Sequence, residues 1–375
     1  MGRRSPAASP VSDAPEDPSP PRGSRAWATV RLAISILLAA VALYVVAGRS
    51  DELTVVSSYL SKIDPFWVVA AFGLEMVSIA AFALIQRRLA AAGGVDIPAT
   101  ALFGITLAGN SITNSLPAGP AWASYFSFRQ YRRFGADSTL SAWILIGLFL
   151  ASSLTLTVLA TAGLIVASTT GAGSFGITNT IVSVVFGTLA VTGTAVLFLH
   201  RRGTLEPVAT RFLYLSRRLV RYPRGDPALV AARIVQRLRA VSPSRSDAVV
   251  TLGWAMVNWV TDLLALVASF YAVGVAVPWS GILLAYGAGQ LAANLPVTPG
   301  GLGVVEGSLE VALVAYGGSQ GSTVAAILLY RIVSFWLLLP LGWISWLSIH
   351  FAERKDAVRS QPALPPVTTA EEVRG

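Results

Sequence analysis

The sequence predicts an all-α polytopic membrane protein with about six full transmembrane helices plus two oppositely oriented re-entrant hairpins. Three observations predict it. Hydrophobic residues make up 54% of the chain and charged residues 13%, about half the charged share of a soluble domain, and the mean hydropathy is +0.64. Residues 138–199 contain no Asp, Glu, Lys, Arg or His, enough chain for two helical crossings at about 20 residues each. Two further apolar stretches, 97–128 and 279–321, are interrupted by proline and glycine.

Residues 1–28, rich in proline and serine with both signs of charge, read as a disordered cytosolic tail, because such a mixture buries too little apolar area to offset its ordering entropy. A cleaved leader is the rival reading, and the long acidic lead containing Asp13, Glu16 and Asp17 argues against it. The helical transmembrane domain then covers 29–349. Lys and Arg accumulate in cytosolic loops, so their distribution orients the spans. Residues 30–48 cross outward, and 65–85 return to Arg87 and Arg88.

The stretch 97–128 is followed by Arg129, Arg132 and Arg133. A single crossing there would invert every later loop, and the loop 200–247, with eleven arginines against Glu206, Asp226 and Asp247, forbids the inversion. The stretch is therefore expected to enter from the cytosol and turn back. Two crossings follow within 138–199, with Gly171–Ser174 as the outer turn. Residues 248–277 cross outward and break at Pro278, 279–321 form a second hairpin from the outside, and 322–349 cross back. A second disordered cytosolic tail is expected over 350–375. Both termini are thus cytosolic and the location is the plasma membrane.

In the basic loop, Val208, Phe212, Leu215, Leu219 and Tyr222 recur at helical spacing with arginines off the stripe. That is an amphipathic helix suited to an anionic headgroup boundary. Positive-inside loops account for the net charge of +9, so no nucleic-acid partner is expected. The chain has no cysteine, and its two histidines, His200 and His350, end apolar runs. No catalytic residue, metal site or cofactor is expected from them.

The two interrupted stretches match loosely as an internal repeat, Asn114-Ser115-Leu116-Pro117 against Asn294-Leu295-Pro296. Paired broken segments in inverted halves point to a binding site near the bilayer midplane; the plainer reading is that Pro and Gly kink ordinary spanning helices. The run from Asn294 through Pro299, Gly300 and Gly301 to Glu306, with Arg331 in the next span, resembles the signature of the bacterial lysylphosphatidylglycerol synthase transmembrane-region family, also called flippase-like integral membrane proteins. Asn110, Pro117, Gly119 and Arg129 resemble the other motif of that family. The resemblance implies a helical membrane domain linked to lipid translocation, and it marks Asn110, Pro117, Arg129, Asn294, Pro299, Gly300, Gly301, Glu306 and Arg331 as candidates for substrate binding. Larger members carry a soluble aminoacyl-transferase domain after the membrane domain. Too few residues follow 349 here to hold one, so a lysyl-lipid synthase is not expected.

Charges within apolar spans cost about 2.5–3.5 kcal/mol each if they face lipid, so they should turn inward and pair. Glu75, Asp262 and Glu310 are such charges and form a possible proton relay. Pro299-Gly300-Gly301 should start a half-helix whose free N–H groups favour an anion, either a lipid phosphate or Glu306. Arg331 can bind a headgroup directly or neutralise Glu306, and the plainer reading is a structural Glu–Arg pair that fixes the hairpin against the last span. The expected function is a flippase-like transporter that moves, or helps to move, an anionic lipid or lipid-linked precursor, with membrane lipids as partners. The alternatives are an accessory protein of a membrane lipid-modifying or cell-envelope enzyme, and an intramembrane lipid-modifying enzyme.

Overall fold

Small side chains where helices touch, and bulky apolar ones where they face outward, set the architecture. The structure, a computed structural model, describes residues 63–169, 244–293 and 299–359, all within the compact unit Asp51–Gly375. These residues are helical, with no strand among them. They form α1 (Pro65–Ala92), α2 (Ala99–Ser115), α3 (Gly119–Arg133), α4 (Ser138–Thr169), α5 (Arg245–Val273) and α6 (Ile282–Ala293). A 3-10 turn (Pro299–Gly301) then leads to α7 (Val304–Ala315), α8 (Gln320–Arg331), a π-helical turn (Ile332–Trp336) and α9 (Leu338–Arg359).

Four stretches are long and apolar enough to cross a bilayer: α1, α4, α5 and the continuous run Gln320–Lys355 through α8 and α9. They coincide with four of the six expected crossings. The expected span 30–48, the second crossing of 138–199, the amphipathic helix of the basic loop and Asn294 lie outside the described residues. Phe66, Phe149, Val158, Ile165 and Ile344 stand exposed on these long helices, as side chains in contact with lipid tails do.

The central pair is α1 against α5. Ala71, Ala81, Ala83 and Ala90 on α1 are buried, as are Ala255, Ala265, Ala268 and Ala272 on α5, because small residues let helix backbones approach where no hydrophobic effect drives them together. Ser78 and Asn258 tie the seam: the Asn258 amide donates to the Ser78 carbonyl (3.0 Å) and hydroxyl (2.8 Å). At one end the Asp64 N–H donates to the Ala272 carbonyl at 2.9 Å. At the other end Arg88 pairs with Asp247 at 2.7 Å, so α1 and α5 are antiparallel.

Two helical hairpins start from opposite ends of this pair. The first, α2 and α3, begins on the Arg88 side. Ser345 of α9 donates to Gly104 near the start of α2 at 2.9 Å, and Arg133 at the end of α3 meets Glu353 of α9 at 2.9 Å. The chain therefore returns to the level at which it entered. Gly342 of α9 lies so close to Ser111 and the Leu107 carbonyl that a Cβ there has no room. The second hairpin, α6 and α7, begins and ends on the Asp64 side, where the Ser280 hydroxyl donates to the Tyr316 carbonyl at 3.2 Å.

Two boundaries differ from expectation. α5 ends at Val273, ahead of Pro278, because Gly274 adopts the left-handed conformation (φ 75°) and its N–H caps the last turn. The final helix continues to Arg359, past the boundary expected at 349, since residues 350–359 contain neither Gly nor Pro to stop it.

Candidate functional site

The two hairpin tips meet. At the second, Gly300 and Gly301 both have positive φ (63° and 66°), which lets the chain reverse tightly between half-helices. A Cβ on Gly300 would run into the Phe335 ring and lie 3.2 Å from the carbonyl of Asn114, at the tip of the first hairpin. Asn114 in turn donates to the Asn110 side chain at 2.5 Å, so the facing tip is neutral and polar. α7 begins at Val304, with Glu306 in its first turn.

Arg331 closes this junction. Its Nε donates to Glu306 Oε1 at 2.6 Å and its NH2 group to the Gly300 carbonyl at 3.0 Å, while its guanidinium lies 4.5 Å from the centre of the Phe335 ring. The second oxygen of Glu306 accepts the Gly303 N–H at 2.7 Å. The anion expected at this helix terminus is therefore the protein's own carboxylate, held as a charge-assisted pair.

Deeper in the bundle, Asp262 of α5 collects donors from two other helices. Its Oδ2 accepts the Tyr286 hydroxyl (2.7 Å) and the Gln290 amide (2.9 Å) from α6. Its Oδ1 accepts the Tyr330 hydroxyl of α8 at 2.7 Å. Glu75 of α1 is 5% exposed, on the helix that pairs with α5. Among the described residues no donor reaches its Oε2.

Between α2, α3 and α9 lies a cavity of about 340 Å³. Trp122, Tyr125, Trp343 and Trp346 line it, Arg129 and Glu353 stand toward one end, and it extends to Leu116, two residues past Asn114. Trp346 stacks on His350 at 5.1 Å. The Trp343 N–H donates to Ser115 at 3.2 Å, which fixes one wall to the tip. Among the described residues no three His, Asp or Glu side chains converge as a metal site requires.

The family model described as Lysylphosphatidylglycerol synthase TM region matches residues 30–342. The chain belongs to that family. It is also 32% identical over 108 residues to a UPF0104 membrane protein of Methanothermobacter thermautotrophicus, a match covering 28% of this chain and 31% of that protein; the chain thus spans under a third of that relative's length. Family membership and four long apolar helices make it a multi-pass membrane protein.

In this member of the lysylphosphatidylglycerol synthase TM-region family, the expected site residues do not all come together. Gly300, Gly301, Glu306 and Arg331 converge at the second tip with Pro299 in its turn, and Asn110 lies one helical turn before Asn114 on the first. Pro117 is exposed beside the break between α2 and α3, and Arg129 stands apart from the tips at the cavity. Glu75 and Asp262 are both buried in the α1–α5 pair, while Glu310 sits half-buried on α7 one turn beyond Glu306. Sequence reasoning missed Tyr286, Gln290, Tyr330 and Phe335. The available signal was the spacing of Tyr286 and Gln290, i and i+4 in an apolar helix, which puts two polar groups on one face.

Proposed function

We propose that this chain is a flippase-like transporter that moves, or assists the movement of, an anionic lipid or lipid-linked precursor across the plasma membrane. The observation that carries the reading is the cavity between α2, α3 and α9, with Arg129 at one end and Leu116 beside the hairpin junction at the other. Its volume is that of a small-molecule site. Aromatic walls suit glycerol and the first methylenes of acyl chains, while the exposed Arg129 suits a phosphate, to which a guanidinium donates bidentately. A headgroup taken in at Arg129 is led toward the junction where Arg331 already binds a carboxylate.

The membrane arrangement supporting this reading has six crossings, both termini cytosolic and the two hairpins re-entrant from opposite faces. Irregular backbone at membrane depth is tolerated where it packs in protein or lines a cavity, and the tips, facing each other, satisfy that condition. The return of α3 to Glu353 and of α7 to Ser280 favours hairpins over kinked spans.

The test is translocation of headgroup-labelled phosphatidylglycerol in proteoliposomes, read by quenching label on the outer leaflet. Vesicles containing the protein should expose inner-leaflet label faster than empty ones, and Arg129→Gln should slow them. Equal rates with and without protein overturn the proposal. Single cysteines in the naturally cysteine-free chain test the arrangement. Gly317→Cys should react with an impermeant maleimide from outside the cell, and Gly135→Cys only after permeabilisation.

A further inference from the structure

We propose that Glu353 occupies the seat of a lipid phosphate: Arg129, Gln130 and Arg133 form the headgroup site of the cavity, and the Glu353 carboxylate is a resident anion that the incoming phosphate displaces. This rests on the transport reading of the cavity and names the groups that take the headgroup there. α3 and α9 both pack on α2, and each turns one face to the space between them. On α3 that face runs from Trp122 to Arg129 and Gln130, and on α9 from Trp346 to Glu353. In both helices the step from tryptophan to charge is seven residues, two turns along one face and about 10 Å of aromatic wall.

At the polar end the Gln130 amide and the NH1 group of Arg133 both donate to one oxygen of Glu353, Oε1, each at 2.9 Å. Gln130 is 3% exposed, so the site is built into the packing of the helices. Arg129 lies one turn before Arg133 on the same side of α3 and stands exposed at the cavity. Glu353 engages two of these donors through Oε1. A phosphodiester presents two unesterified oxygens that share one negative charge, enough to accept from Gln130, Arg133 and Arg129 together.

Comparison with Arg331 shows why this carboxylate can leave. The Arg331 side chain is 10% exposed and bonds the Gly300 carbonyl as well as Glu306. The Arg133 side chain is 36% exposed, and an ion pair so open to water is weak enough to be exchanged. Glu353 also has a place to turn, because His350 Nδ1, one turn earlier on α9, is 3.8 Å from its other oxygen. One carboxylate leaves and one monoanionic phosphodiester enters, so the charge of the site is unchanged and no covalent bond is made or broken.

The experiment is calorimetric titration of the purified full chain in neutral detergent with water-soluble dihexanoyl phosphatidylglycerol. Glu353→Gln keeps a neutral acceptor for Gln130 and Arg133, so it should fold, and it should bind the lipid about tenfold more tightly than the native chain. Adding Arg133→Gln should undo that gain. Glu353→Asp keeps the charge but is one methylene too short to reach both donors, and it should also tighten binding. Tightening by Gln and not by Asp would trace to charge alone and overturn the displacement, as would unchanged or weaker binding in Glu353→Gln. Inorganic phosphate, which has no chains for the aromatic wall, should bind at least about tenfold more weakly than the lipid; equal binding overturns the lipid headgroup as the ligand. The titration reads no movement between leaflets. Tighter binding by Glu353→Gln without translocation by the native chain would overturn the transport reading alone, and native translocation with unchanged binding would overturn this one alone.

Discussion

The two hairpins are built alike and held differently. The second reverses through positive-φ glycines and is clamped by charge, Arg331 reaching both Glu306 and the Gly300 carbonyl. The first reverses at Leu116–Ala118, with a non-glycine residue, Ala118, forced to φ 53°. It is held by neutral bonds: Asn114 to Asn110, Trp343 to Ser115, and Ser111 to the Leu339 carbonyl at 2.8 Å. One tip thus depends on a pair that is costly to break, and the other on several weak contacts beside a cavity. The tip held by neutral bonds is the one beside the cavity, and the clamped tip is the costlier to open.

The largest test of that contrast is Arg331→Gln, which leaves Glu306 without its cation. It should destabilise the protein by about 3 kcal/mol, and adding Glu306→Gln should recover most of the loss; thermal unfolding in detergent reads both. Gly300→Ala comes next. A side chain at that φ, driven against Phe335, should cost about 2 kcal/mol. At the first tip, Ser115→Ala removes the acceptor of the Trp343 indole and should cost about 1 kcal/mol. The smallest change has the opposite sign: Ala118→Gly relieves the left-handed strain and should stabilise by about 0.5 kcal/mol after the added freedom of the unfolded chain. If Ala118→Gly destabilised as much as Gly300→Ala, the two tips would not differ in the way described.

Much of the fold was legible in residue types alone. Apolar length located α1, α4, α5 and the last span, and Arg88, Asp247, Arg133 and Glu353, placed on one side by charge counting, pair across it in the structure. Glu306 and Arg331 were legible as partners because an intramembrane charge needs an opposite one. What escaped depends on rotation about helix axes, which apolar runs do not report. Apolar runs do not say which way Tyr286, Gln290 and Tyr330 face, and only the packing of α6 and α8 turns them onto Asp262. The stop of α5 escaped because Gly274, a single left-handed residue, acted ahead of the more conspicuous Pro278.

The π-helical turn at Ile332–Trp336 sets the angular phase of everything after it. The Leu337 N–H donates five residues back, to the Ile332 carbonyl at 2.8 Å, so the turn holds one residue more than an α-helical turn would. That extra residue lets one continuous rod show Tyr330 and Arg331 to the second hairpin and Gly342 and Ser345 to the first. Wound as an uninterrupted α-helix with no residue lost, the same segment would turn the lower half by about 100° relative to the upper. Gly342 would then leave its contact with Ser111 while Arg331 kept its own, uncoupling the hairpins without touching a charged group.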